Sequence, residues 1–204
     1  MNQISKWLMG AAGALYMSTS NAALTVYADA NLDTLYDAVF TTSAGSVFTI
    51  SVYAEVDKLH DGLTSYGVET TLSPTLKIRG ANAAAQLANI VSDAQWDFPA
   101  TVSVVPKIEV IDADLLKAYS GTVHLFDMTL EAPLVLGSYD VEFKNVEPDA
   151  TFDGFVGFDG FVYDSTIIFQ TTRVDVVPVP AALPLLASAL LGLAWSRRQV
   201  RAVS

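Results

Sequence analysis

From Leu24 to about Thr172 several runs of the chain carry apolar residues at every second position, which is the period of strands rather than helices. In Gly45–Val56 the residues Phe48, Ile50, Val52, Ala54 and Val56 fall on one side, and Thr49, Ser51, Tyr53 and Glu55 on the other. Tyr66, Val68 and Leu72 repeat the pattern, as do Phe126, Met128 and Leu130, and then Tyr139, Val141 and Phe143 opposite Asp140 and Glu142. The segment VYDSTIIFQTT closes the series. Gly-containing turns at residues 44–46 and 136–138 separate several of these runs. Two stretches differ. The Ala-rich ANAAAQLANIVSDAQW predicts a short helix from about Ala81 to Val91. IDADLLKAY predicts a further helical turn with Asp112 or Asp114 near its start. Many short strands with one or two short helices predict an all-β fold, a two-sheet antiparallel β-sandwich over residues 23–175.

Both ends break the pattern. Residues 1–22 combine Lys6, an apolar run from Trp7 to Met17 and a small-residue exit, the three parts of a secretory signal helix. Ser20 and Ala22 place small residues at −3 and −1, so cleavage is expected after Ala22. The run is too short for a span, which takes about 20 residues; the competing reading is a buried N-terminal helix. At the other end, residues 176–204 hold Pro178 and Pro180, then an uncharged stretch from Ala181 to Trp195, then Arg197, Arg198 and Arg201. Counted from Val176, the run reaches about 20 residues, enough for a single marginal transmembrane helix. Trp195 suits the interface, and the arginines are expected to stay cytoplasmic. The middle of the chain is thereby placed outside the cytoplasm.

The order of a Pro-X-Pro motif (Pro178, Val179, Pro180), an apolar span and a terminal arginine pair (Arg197, Arg198) resembles the PEP-CTERM sorting signal. Val179 stands where that motif usually has Glu. The resemblance implies a Gram-negative bacterium that makes exopolysaccharide. It also implies a sorting protease of the exosortase type as partner, and an inner-membrane intermediate that precedes the cell surface or extracellular matrix. A plain single-pass anchor is the alternative, with the same topology. Between the ends, AGSVFTISVYAEVD, LTSYGVETTLSPTLKI and GTVHLFDMTLEAPLVLGSYDVEF resemble the strand sequence of cohesin-like, jelly-roll sandwich domains. Ser73, Pro74, Thr75 and Leu76 occupy the position of those domains' Asp-Pro-x-x-Leu turn, with Ser for Asp. That resemblance implies binding and adhesion rather than catalysis.

Charge and chemistry narrow the function further. All 22 acids lie between Asp29 and Asp175, with seven bases among them (Lys58, Lys77, Arg79, Lys107, Lys117, Lys144, Arg173), so the middle carries 7 − 22 = −15. Such a surface repels phosphate backbones, and nucleic acid is not an expected partner. With no cysteine, disulfides and thiolate chemistry are excluded. There is no nucleophile elbow, zinc helix or phosphate loop. His60 sits in an expected turn, and His124 is expected to share a face with Phe126 and Met128 at the core edge. The chain is thus expected to be a non-enzymatic surface or matrix protein associated with exopolysaccharide, biofilm or another surface protein. An exported glycan-active enzyme using two carboxylates is the rival class.

The segment EPDATFDGFVGFDGF leaves alternatives open. Asp149, Asp153 and Asp159 are candidate calcium ligands, calcium being the one cofactor considered. The bland alternative is a hairpin with Asp-Gly turns. Phe152, Phe155, Phe158, Phe161 and Tyr163 form either an aromatic platform for sugar rings or part of the core.

Overall fold

A computed structural model of the chain describes residues 24–57, 61–96, 100–105, 107–114, 116–146, 154–163 and 166–178. Thirteen strands and one short helix follow in order: β1 (Leu24–Asp29), β2 (Val39–Ser43), β3 (Val47–Val56), β4 (Leu63–Leu72), β5 (Lys77–Ile78), α1 (Ala83–Leu87), β6 (Ile90–Ser92), β7 (Thr101–Ser103), β8 (Ile108–Ala113), β9 (Gly121–Glu131), β10 (Gly137–Asn145), β11 (Val156–Gly157), β12 (Ile167–Phe169) and β13 (Thr172–Val177).

They form two packed sheets. The first runs β12-β1-β3-β9-β5, with β6 also on β9; the second runs β2-β13-β10-β4-β8-β7, with β11 also on β4. The expected two-sheet sandwich is what forms. Its pairing is antiparallel except for β1 with β12 and β2 with β13, which are parallel. Along the described strands the chain crosses between the sheets nine times, staying in one sheet only from β5 to β6, from β7 to β8 and from β10 to β11, which gives the jelly-roll winding. The edge strands β12, β5, β6, β7 and β2 have two to five residues each, which limits the open hydrogen-bonding edge that would otherwise invite aggregation.

The period-two faces predicted from the sequence meet in the middle. Ile50, Val52 and Ala54 of β3 and Met128 and Leu130 of β9 face Tyr66 and Val68 of β4, Val110 of β8, Val141 of β10 and Val174 of β13, all fully buried. Strand β4 is buried on both faces for most of its length, so polar Ser65, Glu69 and Thr70 are taken out of water with it.

The helical expectations need correction. The helix spans Ala83–Leu87 only, with the Asn82 side chain accepting from the Ala85 amide at 3.0 Å. Asn89 ends it by donating to the carbonyls of Ala85 and Arg79. Ile90–Ser92 then pair with Met128–Phe126 of β9, so strand pairing overrides the Ala-rich helix propensity. The second expected helical turn does not form, because Ile111–Ala113 belong to β8. Asp114 nevertheless does what a capping residue does, accepting from the Leu116 and Lys117 amides. The last strand runs to Val177, past the expected boundary at 175, and buries Val176 opposite Gly137. Among the described residues no helix is long and apolar enough to cross a membrane. Residues 1–22 and 179–204, which include Ala22, Val179, Pro180, Arg197 and Arg198, lie outside the described residues.

Candidate functional site

The densest group of chemistry-bearing side chains stands on the outer face of the first sheet. Alternation turns Tyr27 of β1, Ser51 and Tyr53 of β3, and His124 and Asp127 of β9 away from the core. Tyr27 stacks on Tyr53 with ring centroids 5.8 Å apart, and Tyr53 lies 4.9 Å from the His124 ring. Tyr36 meets Tyr27 edge-on at 6.5 Å, and its hydroxyl donates to the Thr171 carbonyl.

His124 reaches this face through a bulge. Val52 pairs with Phe126 and Tyr53 with His124, which leaves Leu125 as an extra residue in β9. Leu125 and Phe126 both point inward, and everything before the bulge is turned over. The expectation that His124 shares a face with Phe126 and Met128 therefore fails: one inserted residue reverses a period-two pattern.

Each imidazole nitrogen of His124 meets a carboxylate: Nδ1 lies 2.5 Å from Asp93 Oδ2, and Nε2 lies 3.0 Å from Asp127 Oδ1. Ser51 donates to the same Asp127 oxygen at 2.7 Å. Serine, histidine and aspartate are all present, but in an order that cannot perform nucleophilic catalysis. The serine proton is directed to a carboxylate, and neither ring nitrogen is available to take it. Burial, followed by nearby carboxylates, pushes the Tyr27 and Tyr53 phenols up, so both remain neutral donors at physiological pH. The face combines polar and aromatic side chains.

Behind it, an internal polar network ties the sheets together. Tyr66, fully buried, donates to the Leu125 carbonyl at 2.8 Å and lies 3.0 Å from Ser92 Oγ, which in turn bonds Asp112. Burial pushes the Asp112 carboxyl up. Trp96 packs against Tyr66 and Tyr119, and its indole N–H donates to the His124 carbonyl. Tyr119 donates to Asp114, and this bond leads the causes that hold the Asp114 carboxyl below its usual range.

A groove of about 350 Å³ opens between the edges of the two sheets, lined by Thr70, Leu72, Leu76, Ile78, Val104 and Ile108 among others. The one carboxylate lining it, Glu69, is held between Lys107 at 3.0 Å and Lys144 at 2.9 Å. A carboxylate pair of the kind a glycosidase needs is not found in this groove.

The residues anticipated from the sequence scatter. Asp149, Phe152, Asp153 and His60 lie outside the described residues. Asp159 is exposed in a turn closed by the Gly160 amide on the Gly157 carbonyl, and its carboxylate accepts from the Phe161 amide. The second Asp-Gly is thus a hairpin turn. Among the described rings of this segment, Phe155 and Tyr163 are fully buried and Phe158 alone is well exposed. A second aromatic row is built by Tyr36, Tyr27, Tyr53 and His124, of which Tyr36 is exposed, Tyr53 and His124 are half-buried and Tyr27 is buried. No three acidic or histidine side chains converge as metal ligands among the described residues. A carboxylate-rich loop that sequence reading passed over is Asp29–Asp37. Its signal was the D-x-N-x-D spacing of Asp29, Asn31 and Asp33. Asp29 is buried and accepts from the Asn31, Leu32 and Thr34 amides, which holds Leu32 and Thr34 at positive φ.

Two jelly-roll sheets of this order superpose on a cohesin from the archaeon Archaeoglobus fulgidus with a TM-score of 0.52, over 78% of this chain and 94% of that one. The fold is cohesin-like. Sequence identity to that cohesin is 15%. A type III cohesin module of the ScaE cell-surface anchoring scaffoldin of Ruminococcus flavefaciens matches at 0.50, with 12% identity over 76% of this chain and 86% of that one. A cohesin module from a Clostridium perfringens family 33 glycoside hydrolase also matches at 0.50, with 12% identity over 77% and 98%. No protein-family model matches the chain, and no curated protein matches its sequence. Among the described residues neither sheet presents the long apolar exterior that a hydrophobic protein interface would use. The outward residues of the first sheet include Thr49, Ser51, Thr122, Asp127 and Thr129, and β10 turns Asp140, Glu142 and Lys144 outward.

Proposed function

We propose that the chain is an exported surface protein whose cohesin-like sandwich is a non-catalytic binding module. The N-terminal segment delivers it, and the tail from residue 176 holds it until an exosortase-type protease acts on it. The observation that carries this reading is where the fold starts and stops. Among the described residues pairing begins at Leu24, two residues after the expected cut at Ala22, and ends at Val177, next to Pro178. The described strands thus form two complete sheets from residues 24–177, which supports a reading in which both apolar ends are handed to export machinery. The ScaE module of similar fold belongs to a cell-surface anchoring scaffoldin, and a comparable surface placement is proposed here. The binding surface is the outer face of β1, β3 and β9, where tyrosines, His124 and carboxylates suit a partner rich in hydroxyls or basic groups, such as exopolysaccharide or another surface protein.

Cell fractionation with intact-mass measurement tests the topology. The reading expects a surface or matrix form that starts at Ala23 and lacks Arg197 and Arg198. A cytosolic chain with Met1 and both arginines retained overturns it, while an intact tail in the inner membrane replaces the processing step with a plain anchor.

A further inference from the structure

Three pieces of chain meet at the pole of the sandwich from which the tail emerges. They are the turn 44–46 between β2 and β3, the connection 132–136 between β9 and β10, and the end of β13 at Val177. The Ala44 amide donates to the Val177 carbonyl, the Gly45 amide to Pro133 and the Ala132 amide to Ser46. Tyr139 donates to the Val135 carbonyl. Gly45, at φ +71°, lets Leu134 pass so close that a Cβ would stand 3.0 Å from Leu134 Cδ2.

On this pinned scaffold Leu134, Val135 and Leu136 stand 83%, 67% and 52% exposed, one after another, and Val47 and Val177 are exposed beside them. Three successive aliphatic side chains fixed in water are unfavourable unless something covers them. The same pole is free of charge: residues 43–48, 132–138 and 176–178 contain no acid or base, in a domain with 22 acids. The nearest acids are paired, Glu131 with Lys77 at 3.4 Å and Asp175 with Arg173 at 3.3 Å. The opposite pole, by contrast, gathers Asp61, Asp114 and Asp159 around Gly62 and Tyr119.

We propose that the uncharged pole is a lipid-docking face, in which Leu134, Val135 and Leu136 enter the boundary between headgroups and acyl chains of a bilayer. The inference rests on the reading of residues 176–204 as a membrane-directed tail. Tether length supplies the occupant. The uncharged run starts at Ala181, four residues after Val177, and four extended residues reach at most about 14 Å. Once that run enters a membrane, this pole is held against the surface, where its apolar side chains are stabilised and the flanking carboxylates of Glu131 and Asp175 are paired with Lys77 and Arg173. The sandwich then stands with its acidic pole outward and both outer sheet faces open sideways to partners.

The chain has no cysteine, so a single introduced thiol carries a unique probe. Full-length V135C and L134C, each labelled with an environment-sensitive dye, are reconstituted in phosphatidylcholine–phosphatidylglycerol vesicles containing brominated phosphatidylcholine. S120C at the opposite pole and L190C in the tail serve as references. Docking predicts severalfold stronger bromolipid quenching at 134 and 135 than at 120. Equal quenching at 135 and 120 with strong quenching at 190 overturns docking and leaves the tail reading intact. Dyes at 134 and 135 shielded from aqueous iodide but untouched by bromolipid also overturn it, placing the tail or a second copy on the patch. Absence of quenching at all four positions removes the tail reading together with the docking.

Discussion

Tyr66→Phe is the most informative single change, because it removes one oxygen from the buried network between the sheets. The Tyr66 side chain is fully buried, and its hydroxyl donates to the Leu125 carbonyl, at 2.8 Å. The Asp93 amide also donates to that carbonyl, at 3.0 Å, whereas Ser92 Oγ stands 3.5 Å away and its single proton is directed to Asp112. In the phenylalanine variant the carbonyl of the bulge residue keeps the Asp93 amide but loses the Tyr66 hydroxyl, a buried hydrogen bond that contributes about 0.5–1.5 kcal/mol. Ring packing against Trp96 and Phe126 is retained, so no cavity contribution of the kind produced by truncation adds to this. At about 1 kcal/mol the melting temperature falls by about 2–4 °C. Urea unfolding followed by tryptophan fluorescence should show a lower midpoint at unchanged slope. In a double-mutant cycle with Ser92→Ala, residues sharing one network should couple by about 0.5–3 kcal/mol. A variant as stable as the parent, or strictly additive single effects, would refute the network as a source of stability.

Other outcomes follow from the same structure. Burial pushes the Glu69 carboxyl up, but hydrogen bonds from Lys144 and Lys107 outweigh it and hold the group below its unfolded value of 4.5. Its stabilisation is therefore complete above about pH 4.5 and is lost as pH falls through the folded value, so Glu69→Gln should flatten the acid limb of a stability–pH curve. Asp112 has the opposite sign: its carboxyl is pushed up by burial, so its charge weakens the fold as pH rises through that value, and Asp112→Asn should reduce the loss measured between mildly acidic and neutral pH. Gly62→Ala places a Cβ 2.7 Å from the Tyr119 carbonyl oxygen at φ +89°; a loss of about 2 kcal/mol or more is expected by chemical denaturation, and a neutral result would contradict the close approach. Tyr53→Ala should leave the urea midpoint within about 1 kcal/mol, since the ring lies on the outer face, yet weaken co-sedimentation with the producing cell's exopolysaccharide.

Fold class was legible because alternation survives translation into a sheet: Ile50, Val52, Ala54, Val68, Met128, Leu130 and Val141 are buried as their spacing foretold. What failed was whatever depends on one residue of register or on pairing between distant segments. His124 was misplaced because the bulge at Leu125 leaves no mark in a single sequence. The Ala-rich helix was drawn too long because its end is set by β9, which lies some forty residues further along the chain. The aromatic face escaped notice because Tyr27, Tyr53 and His124 come from three strands and become neighbours only through pairing. Dense phenylalanines at 155–161 drew attention locally, whereas Phe155 serves the core.

The account stands on the sandwich being complete without either apolar end. Equilibrium unfolding of a fragment spanning residues 23–178, compared with the full chain in detergent, tests that directly. One cooperative transition at the same midpoint, with amide protection extending through β1 and β13, is the predicted result. A fragment that is unfolded, or that regains its midpoint only when residues 1–22 or 179–204 are restored, would contradict it.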